Sequence, residues 1–399
     1  MLRPTACAAL SALILAGACN TPAPAKSAAV ATAPTSSTDR APRGDVDMAR
    51  LWDRLPDRDR PALEKALEMA GDNANELRIA LDRVEPEMRP GMAFLVATMP
   101  ERDLRSLSAE FLLANVHLAY EAWRGAPWGS DISEQMFFQY ILPYANVNER
   151  RDDWRGDFVK RFQAEAWKQG DRMSAVRWIN DHLNDAVNVH YHASKRKKPD
   201  QSPYESMELG FASCTGLSIL LVDACRACGI PARCVGCPAW TVVQGNHTWV
   251  EVFANDAPDG KSTRDRWFNV GDTGSDPRGE NWVNERCRTE TNPDDWAHAV
   301  WASTWRRTGK HFPLPWEWEI DYVPALNVTR FYTAPIDVPF VLAKPGPATV
   351  DAIWNGELVD RYRLADAKTT VSLRLARGEH FDVVVRYADG TREDKTIAP

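Results

Sequence analysis

Residues 213–233 read Ser213-Cys214-Thr215-Gly216-Leu217-Ser218-Ile219-Leu220-Leu221-Val222-Asp223-Ala224-Cys225-Arg226-Ala227-Cys228-Gly229-Ile230-Pro231-Ala232-Arg233. Ser213 is a good N-cap, an unbroken apolar helix spans 214–228, and Gly229 stops it. Ala232–Val235 then has the composition of a strand. Cys214 falls in the first turn, where outward-pointing N–H groups and the helix dipole favour an anion. That placement lowers a thiol pKa and makes the thiolate available. A purely structural cysteine would sit more naturally within the apolar run that follows.

Two further strands complete a pattern. Thr248–Phe253 is preceded by His247, and Arg266–Val270 is followed by Gly271 and Asp272. A histidine at a strand start can face a neighbouring helix N-terminus and act as base to its thiol. A carboxylate at the end of the next strand can accept from the far ring nitrogen and fix the tautomer. The candidate catalytic residues are therefore Cys214, His247 and Asp272. Nothing in the pattern calls for a cofactor.

These blocks, Cys214-Thr215-Gly216-Leu217-Ser218 with Gly229-Ile230-Pro231-Ala232-Arg233, His247-Thr248-Trp249-Val250-Glu251-Val252, and Trp267-Phe268-Asn269-Val270-Gly271-Asp272, resemble the transglutaminase-like cysteine superfamily, a papain-related fold. The resemblance covers about residues 170–290. It implies Cys214 as nucleophile, His247 as general base and Asp272 as orienting acid, in acyl transfer through a thioester on a peptide bond or a glutamine-type amide. The family sets its aspartate directly after the apolar residue that ends the strand. Here Gly271 intervenes between Val270 and Asp272, so a one-residue bulge is expected, with Asn269 or Asp276 as the other candidates. A hydrolase (peptidase or amidase) is the preferred expectation, with water as acceptor and a peptide or protein as substrate. The alternatives are a true amine-accepting transglutaminase and a non-catalytic binding or scaffold lipoprotein on the same fold. Gln139 and Tyr204 are the candidates for a second oxyanion donor.

The expected fold class is α+β: a papain/transglutaminase-like core with a helical N-terminal region and a small C-terminal β-sandwich-like domain. Residues 48–190 read as mainly helical. The spacing of Leu63, Ala66, Leu67 and Ala70 predicts one helix, and Asn73 with Glu76 reads as a capping box for the next. A further helix is expected over 103–123. The core is placed at 191–330 and the β domain at 335–399, with hairpin turns at Asn355-Gly356 and Asp389-Gly390. Residues 1–19 read as a signal peptide. Ala16-Gly17-Ala18-Cys19 resembles a bacterial lipobox, which implies lipidation of Cys19 and an exported, membrane-anchored protein of the cell envelope. Residues 20–47 read as a disordered linker, since sixteen of residues 21–38 are Ala, Pro, Ser or Thr.

Composition narrows the rest. The chain has 399 residues, enough for two or three domains, and 44% apolar content, which supports a packed core. A net charge of −7 argues against nucleic acid as a partner. Cys225-x-x-Cys228 and Cys234-x-x-Cys237 lie too close together for a zinc ribbon, so no metal site is assigned, and export favours disulfides instead. Nine of the 16 tryptophans fall between Trp240 and Trp318. Trp249, Trp282 and Trp316 are candidates to line a substrate cleft.

Overall fold

The computed structural model describes Val46 and residues 51–56, 59–255, 264–271, 282–365 and 368–399. The leader, Cys19, the linker apart from Val46, Asp272 and Asp276 lie outside the described residues. The N-terminal region is helical: α1 (Arg60–Met69), α2 (Ala74–Arg83), α3 (Arg89–Thr98), α4 (Ala109–Gly125), α5 (Glu134–Tyr140) and α6 (Arg172–Val187). Between α5 and α6 the segments Arg155–Phe158 and Ala164–Trp167 join through a π-helical turn at Val159–Gln163. Among the described residues no helix is long and apolar enough to cross a membrane.

Two local expectations change. Asn73 and Glu76 form no capping box. Asn73 Nδ2 donates to Leu104 O and Leu107 O at 2.8 and 2.9 Å, and Glu76 Oε2 accepts from Ala109 N at 2.9 Å. The polar pair thus holds the next connection in place instead of its own helix end. The helix expected over 103–123 is broken. A short helix ends at Leu104, and α4 starts afresh at Ala109 because Ser108 Oγ accepts from Phe111 N.

Helix α7 (Cys214–Ala227) is the centre of the molecule, with all fourteen residues buried. A helix apolar on every side must be covered on every side. Here α4, α6 and Arg155–Phe158 lie against it, and strands β1 (Ala232–Cys237) and β2 (His247–Asn255) cover another face. Gly229 permits the turn from α7 toward β1. Its φ is +74°, and a Cβ there would stand 2.3 Å from Ala122 O.

Besides a two-residue pair, His190–Tyr191 with Phe211–Ala212, the other strands are β3 (Arg264–Gly271), β4 (Trp301–Ser303), β5 (Ala325–Asn327), β6 (Pro335–Val341), β7 (Ala348–Trp354), β8 (Glu357–Leu364), β9 (Thr370–Ala376), β10 (Phe381–Tyr387) and β11 (Arg392–Ile397). Helix α8 (Trp282–Glu290) follows β3 in the chain. One antiparallel sheet of nine strands runs in the order β11-β10-β7-β8-β3-β2-β1-β4-β5, and β6 pairs with β9 separately. The C-terminal strands are therefore hydrogen-bonded to the core through β8 and β3, with Asp360 opposite Arg266 and Tyr362 opposite Arg264. The seam is ionic. Arg264 pairs with Asp360 at 2.7 Å, and buried Asp265 takes both Arg172 and Arg363. The C-terminal apolar cluster also includes Val235, Cys237 and Trp249 from the core strands.

Candidate active site

The approach to α7 is fixed before the helix begins. His190–Tyr191 pairs in parallel with Phe211–Ala212, the two residues that lead into Ser213. The short helix Pro203–Leu209 carries a complete capping box from Ser202 and Glu205, a signal present in the sequence and not read there. Gln201 Nε2 donates to Phe211 O at 3.1 Å. Ser213 then caps α7. Its Oγ accepts from Gly216 N at 3.5 Å and donates to Pro199 O at 2.8 Å. Cys214, 2% exposed, is the first residue of the helix.

β2 is joined to that first turn by hydroxyls. Thr215 Oγ1 and Thr248 Oγ1 are 3.0 Å apart, and Ser218 Oγ donates to Thr248 O at 3.2 Å. Cys214 and His247 each immediately precede one member of the threonine pair, so the helix start and the strand start are held side by side. His247 opens β2 opposite Cys237 of β1. Its imidazole is nearly parallel to the Trp249 ring, at 20° and 5.9 Å between centroids, and tilted 46° to Trp282 at 4.7 Å. A small pocket opens beside it between Cys237, Pro238 and Asn246 on one side and Pro313, Pro315 and Trp316 on the other.

The bulge required by Gly271 is present. Glu251 pairs with Asn269, but Val250 pairs with Gly271, which leaves Val270 as the extra residue of β3. Gly271 takes a φ of +73°, and its N–H donates to Asn269 Oδ1 at 2.8 Å. Asn269 Nδ2 donates to Asn284 Oδ1 on α8 at 3.0 Å. Asn269 is thus the residue that closes the bulge.

The tryptophan expectation divides. Trp249 is fully buried, and its Nε1 donates to Tyr332 Oη at 2.9 Å. It belongs to the core and not to a cleft wall, because an inward position on a strand covered by the C-terminal segment has no access to solvent. Trp282 is 47% exposed beside His247, and Trp316 borders the pocket. Both residues named as candidate second oxyanion donors have a side-chain hydrogen bond to another residue. Gln139 Oε1 accepts from Thr304 Oγ1, and Tyr204 Oη donates to Asp153 O.

All six described cysteines are buried, and none of them is in a disulfide, so the bridges expected from export are not formed among them. Burial pushes the Cys225, Cys228, Cys234 and Cys287 thiols well up and Cys237 to about 12. Among the described residues no group of three His, Cys, Asp or Glu side chains is arranged to hold a metal ion.

One part of the site was not read from the sequence. Glu251, 5% exposed, lies two residues beyond Trp249 on β2. Arg233 of β1 reaches it at 2.6 Å, and Tyr332 Oη donates to its other oxygen. The available signal was the charge itself, since a glutamate inside an apolar strand must have partners.

Residues 160–271 match the transglutaminase-like superfamily. The match contains Cys214 and His247 and ends at Gly271. Among solved structures, red sea bream transglutaminase is similar at 10% identity and a TM-score of 0.34, over 68% of this chain and 65% of that one. No curated protein sequence matches the chain. The centre of the molecule is a transglutaminase-like core, with a helical region before it and a curled antiparallel sheet extending beyond it.

Proposed function

We propose that the protein is a thiol-dependent acyl-transfer enzyme that hydrolyses peptide or glutamine-type amide bonds. The observation that supports this reading is the Thr215–Thr248 contact, which joins the first turn of α7, where Cys214 lies, to the first residues of β2, where His247 lies. His247 takes the thiol proton as Cys214 Sγ attacks the amide carbonyl carbon. The backbone N–H of Cys214, in the first turn of α7, is assigned as a donor to the developing oxyanion. The C–N bond breaks as His247 protonates the leaving amine, and a thioester remains. Water, deprotonated by His247, adds to the thioester. The C–S bond breaks and the acid is released. Asp272 is assigned to hold the imidazole in the required tautomer, and exposed Trp282 to give the substrate an aromatic surface. Water is the acceptor because bulk solvent competes at any open site.

Alkylation tests the reading. With iodoacetamide at mildly acidic pH, the folded protein should react selectively at Cys214, and His247→Ala should abolish that selectivity. A Cys214 thiol that stays inert in folded, reduced protein would remove the enzyme reading.

A further inference from the structure

Strand β2 carries two buried polar side chains that the acyl-transfer steps do not use. Trp249 and Glu251 lie on the same side of the strand as His247, since side chains alternate with a period of two. Tyr332, from the short helix Thr329–Thr333, reaches between them. Trp249 Nε1 donates to Tyr332 Oη at 2.9 Å, Tyr332 Oη donates to Glu251 Oε1, and Arg233 Nε donates to Glu251 Oε2 at 2.8 Å. The direction of this chain is dictated by chemistry. An indole N–H and a guanidinium only donate, an ionised carboxylate only accepts, and a phenol does both. All four side chains are at least nine-tenths buried. The far end of the chain rests on the Trp267 ring, 3.8 Å from the Arg233 guanidinium carbon, and its near end is the indole against which the His247 imidazole stacks.

We propose that Tyr332 is a positioning residue for His247, acting through Trp249. It rests on the acyl-transfer reading above and adds to it that the segment leading into the C-terminal strands sets the plane of the catalytic imidazole. Tyr332 sits beyond the residues that match the superfamily, which end at 271. The contact therefore ties the orientation of the base to a part of the chain outside that core. Burial, the Glu251 charge beside it and Cys287 of α8 hold the Tyr332 phenol well above its usual pKa, so it stays a neutral donor across the range in which a thiol and an imidazole titrate. The charged and titratable groups facing it are Glu251 of β2, with Arg233 of β1 behind, and Cys287 of α8.

The test follows the rate of Cys214 alkylation by iodoacetamide as a function of pH in the full chain. Tyr332→Phe removes one oxygen. It should slow the reaction about tenfold and move the acidic limb of the profile upward, toward that of an ordinary thiol. Tyr144→Phe is the matched control. It deletes another buried phenol–carboxylate bond, Tyr144 Oη to Asp103 at 2.9 Å, away from the site, and should leave the profile unchanged. Trp249→Phe should reproduce the Tyr332→Phe shift, and the double variant should be no slower than Trp249→Phe alone, because the tyrosine acts through the indole. If Tyr332→Phe melts below the assay temperature, Glu251→Gln takes its place, with a smaller shift in the same direction. Profiles of Tyr332→Phe and Tyr144→Phe that coincide, with wild-type reactivity intact, overturn the positioning role alone. An additive double variant does the same. An inert wild-type Cys214 overturns the parent reading instead, and this one with it.

Discussion

Cys214 opens α7 and Cys225 lies in its last turn, yet the two ends of the helix are built differently. At the N-terminal end the partners are hydroxyls. Ser213 caps the helix, and Thr215 and Ser218 reach Thr248. His247 and half-exposed Trp282 stand alongside. At the C-terminal end the partners are long donors from the helical region. Gln163 Nε2, Trp167 Nε1 and Trp128 Nε1 take the carbonyls of Ala227, Cys228 and Gly229 at 2.9, 3.0 and 2.9 Å. The first two are carbonyls that the helix end leaves without intrahelical partners, and the third belongs to the turn that follows. Arg226 turns its guanidinium the other way, onto Tyr140 O, Pro143 O and Ala145 O. The lesson is positional. Both ends carry thiols, but the C-terminal pair is sealed in carbonyl-satisfying side chains and apolar packing, while the N-terminal thiol lies in a first turn that hydroxyls join to the start of β2.

The strongest way to break this contrast is chemical. Alkylation needs the thiolate, and burial holds Cys237 at about 12 against a usual value near 9, so its thiolate is about a thousandfold scarcer than that of an ordinary thiol. Cys225, Cys228, Cys234 and Cys287 are shifted in the same direction. In folded protein at neutral pH these five should stay unlabelled while Cys214 reacts, and all should label in urea. Native labelling of Cys225 at the rate of Cys214 would erase the distinction. The same shifts have a linked consequence. Above about pH 9 the unfolded thiols ionise while the folded ones remain protonated, so the unfolded state holds fewer protons and stability declines as pH rises.

The next effect is thermodynamic. Arg226→Met should destabilise the protein by about 3–5 kcal/mol, because it leaves several buried carbonyls without donors. Urea denaturation reads this directly, and a loss below about 1 kcal/mol would show that the carbonyls find other partners. The smallest effect belongs to the reactive end. Ser213→Ala should cost about 1 kcal/mol, typical of a lost N-cap. No change in the urea midpoint would mean that Ser213 does not cap α7 in solution.

Local patterns carried a good part of the fold. The apolar run after Ser213 forms α7 within a residue of its expected end, and the three strand segments of the core are present. Asn355 and Gly356 both take positive φ, at 49° and 78°, as a two-residue hairpin turn requires. The extra residue that Gly271 adds before the strand end is taken up as a bulge at Val270, one of the outcomes the spacing allowed. The misses share a cause. Asn73 and Glu76 had the spacing of a cap, but their side chains found better partners more than thirty residues away. Trp249 had the look of a cleft aromatic, but it is buried in a cluster drawn largely from later parts of the chain, and its Nε1 donates to Tyr332, 83 positions on. Tyr332 itself has no local signature at all.

The sequence by itself determined which residue opens the buried helix and which residue opens the strand beside it, since capping, apolar periodicity and turn chemistry act over a few residues. It also carried a resemblance to the transglutaminase-like superfamily, read over about residues 170–290 and matched over 160–271. The tertiary structure decided the rest. It joined the C-terminal strands to the core as one sheet through β8 and β3. It buried five of the thiols in surroundings that push their pKa values up, and it ran the chain from Trp249 through Tyr332 to Glu251 and Arg233. The physical reason is that burial and long-range hydrogen bonding depend on which distant surfaces meet. Such pairings leave no period or motif in the stretch of chain where their effects appear.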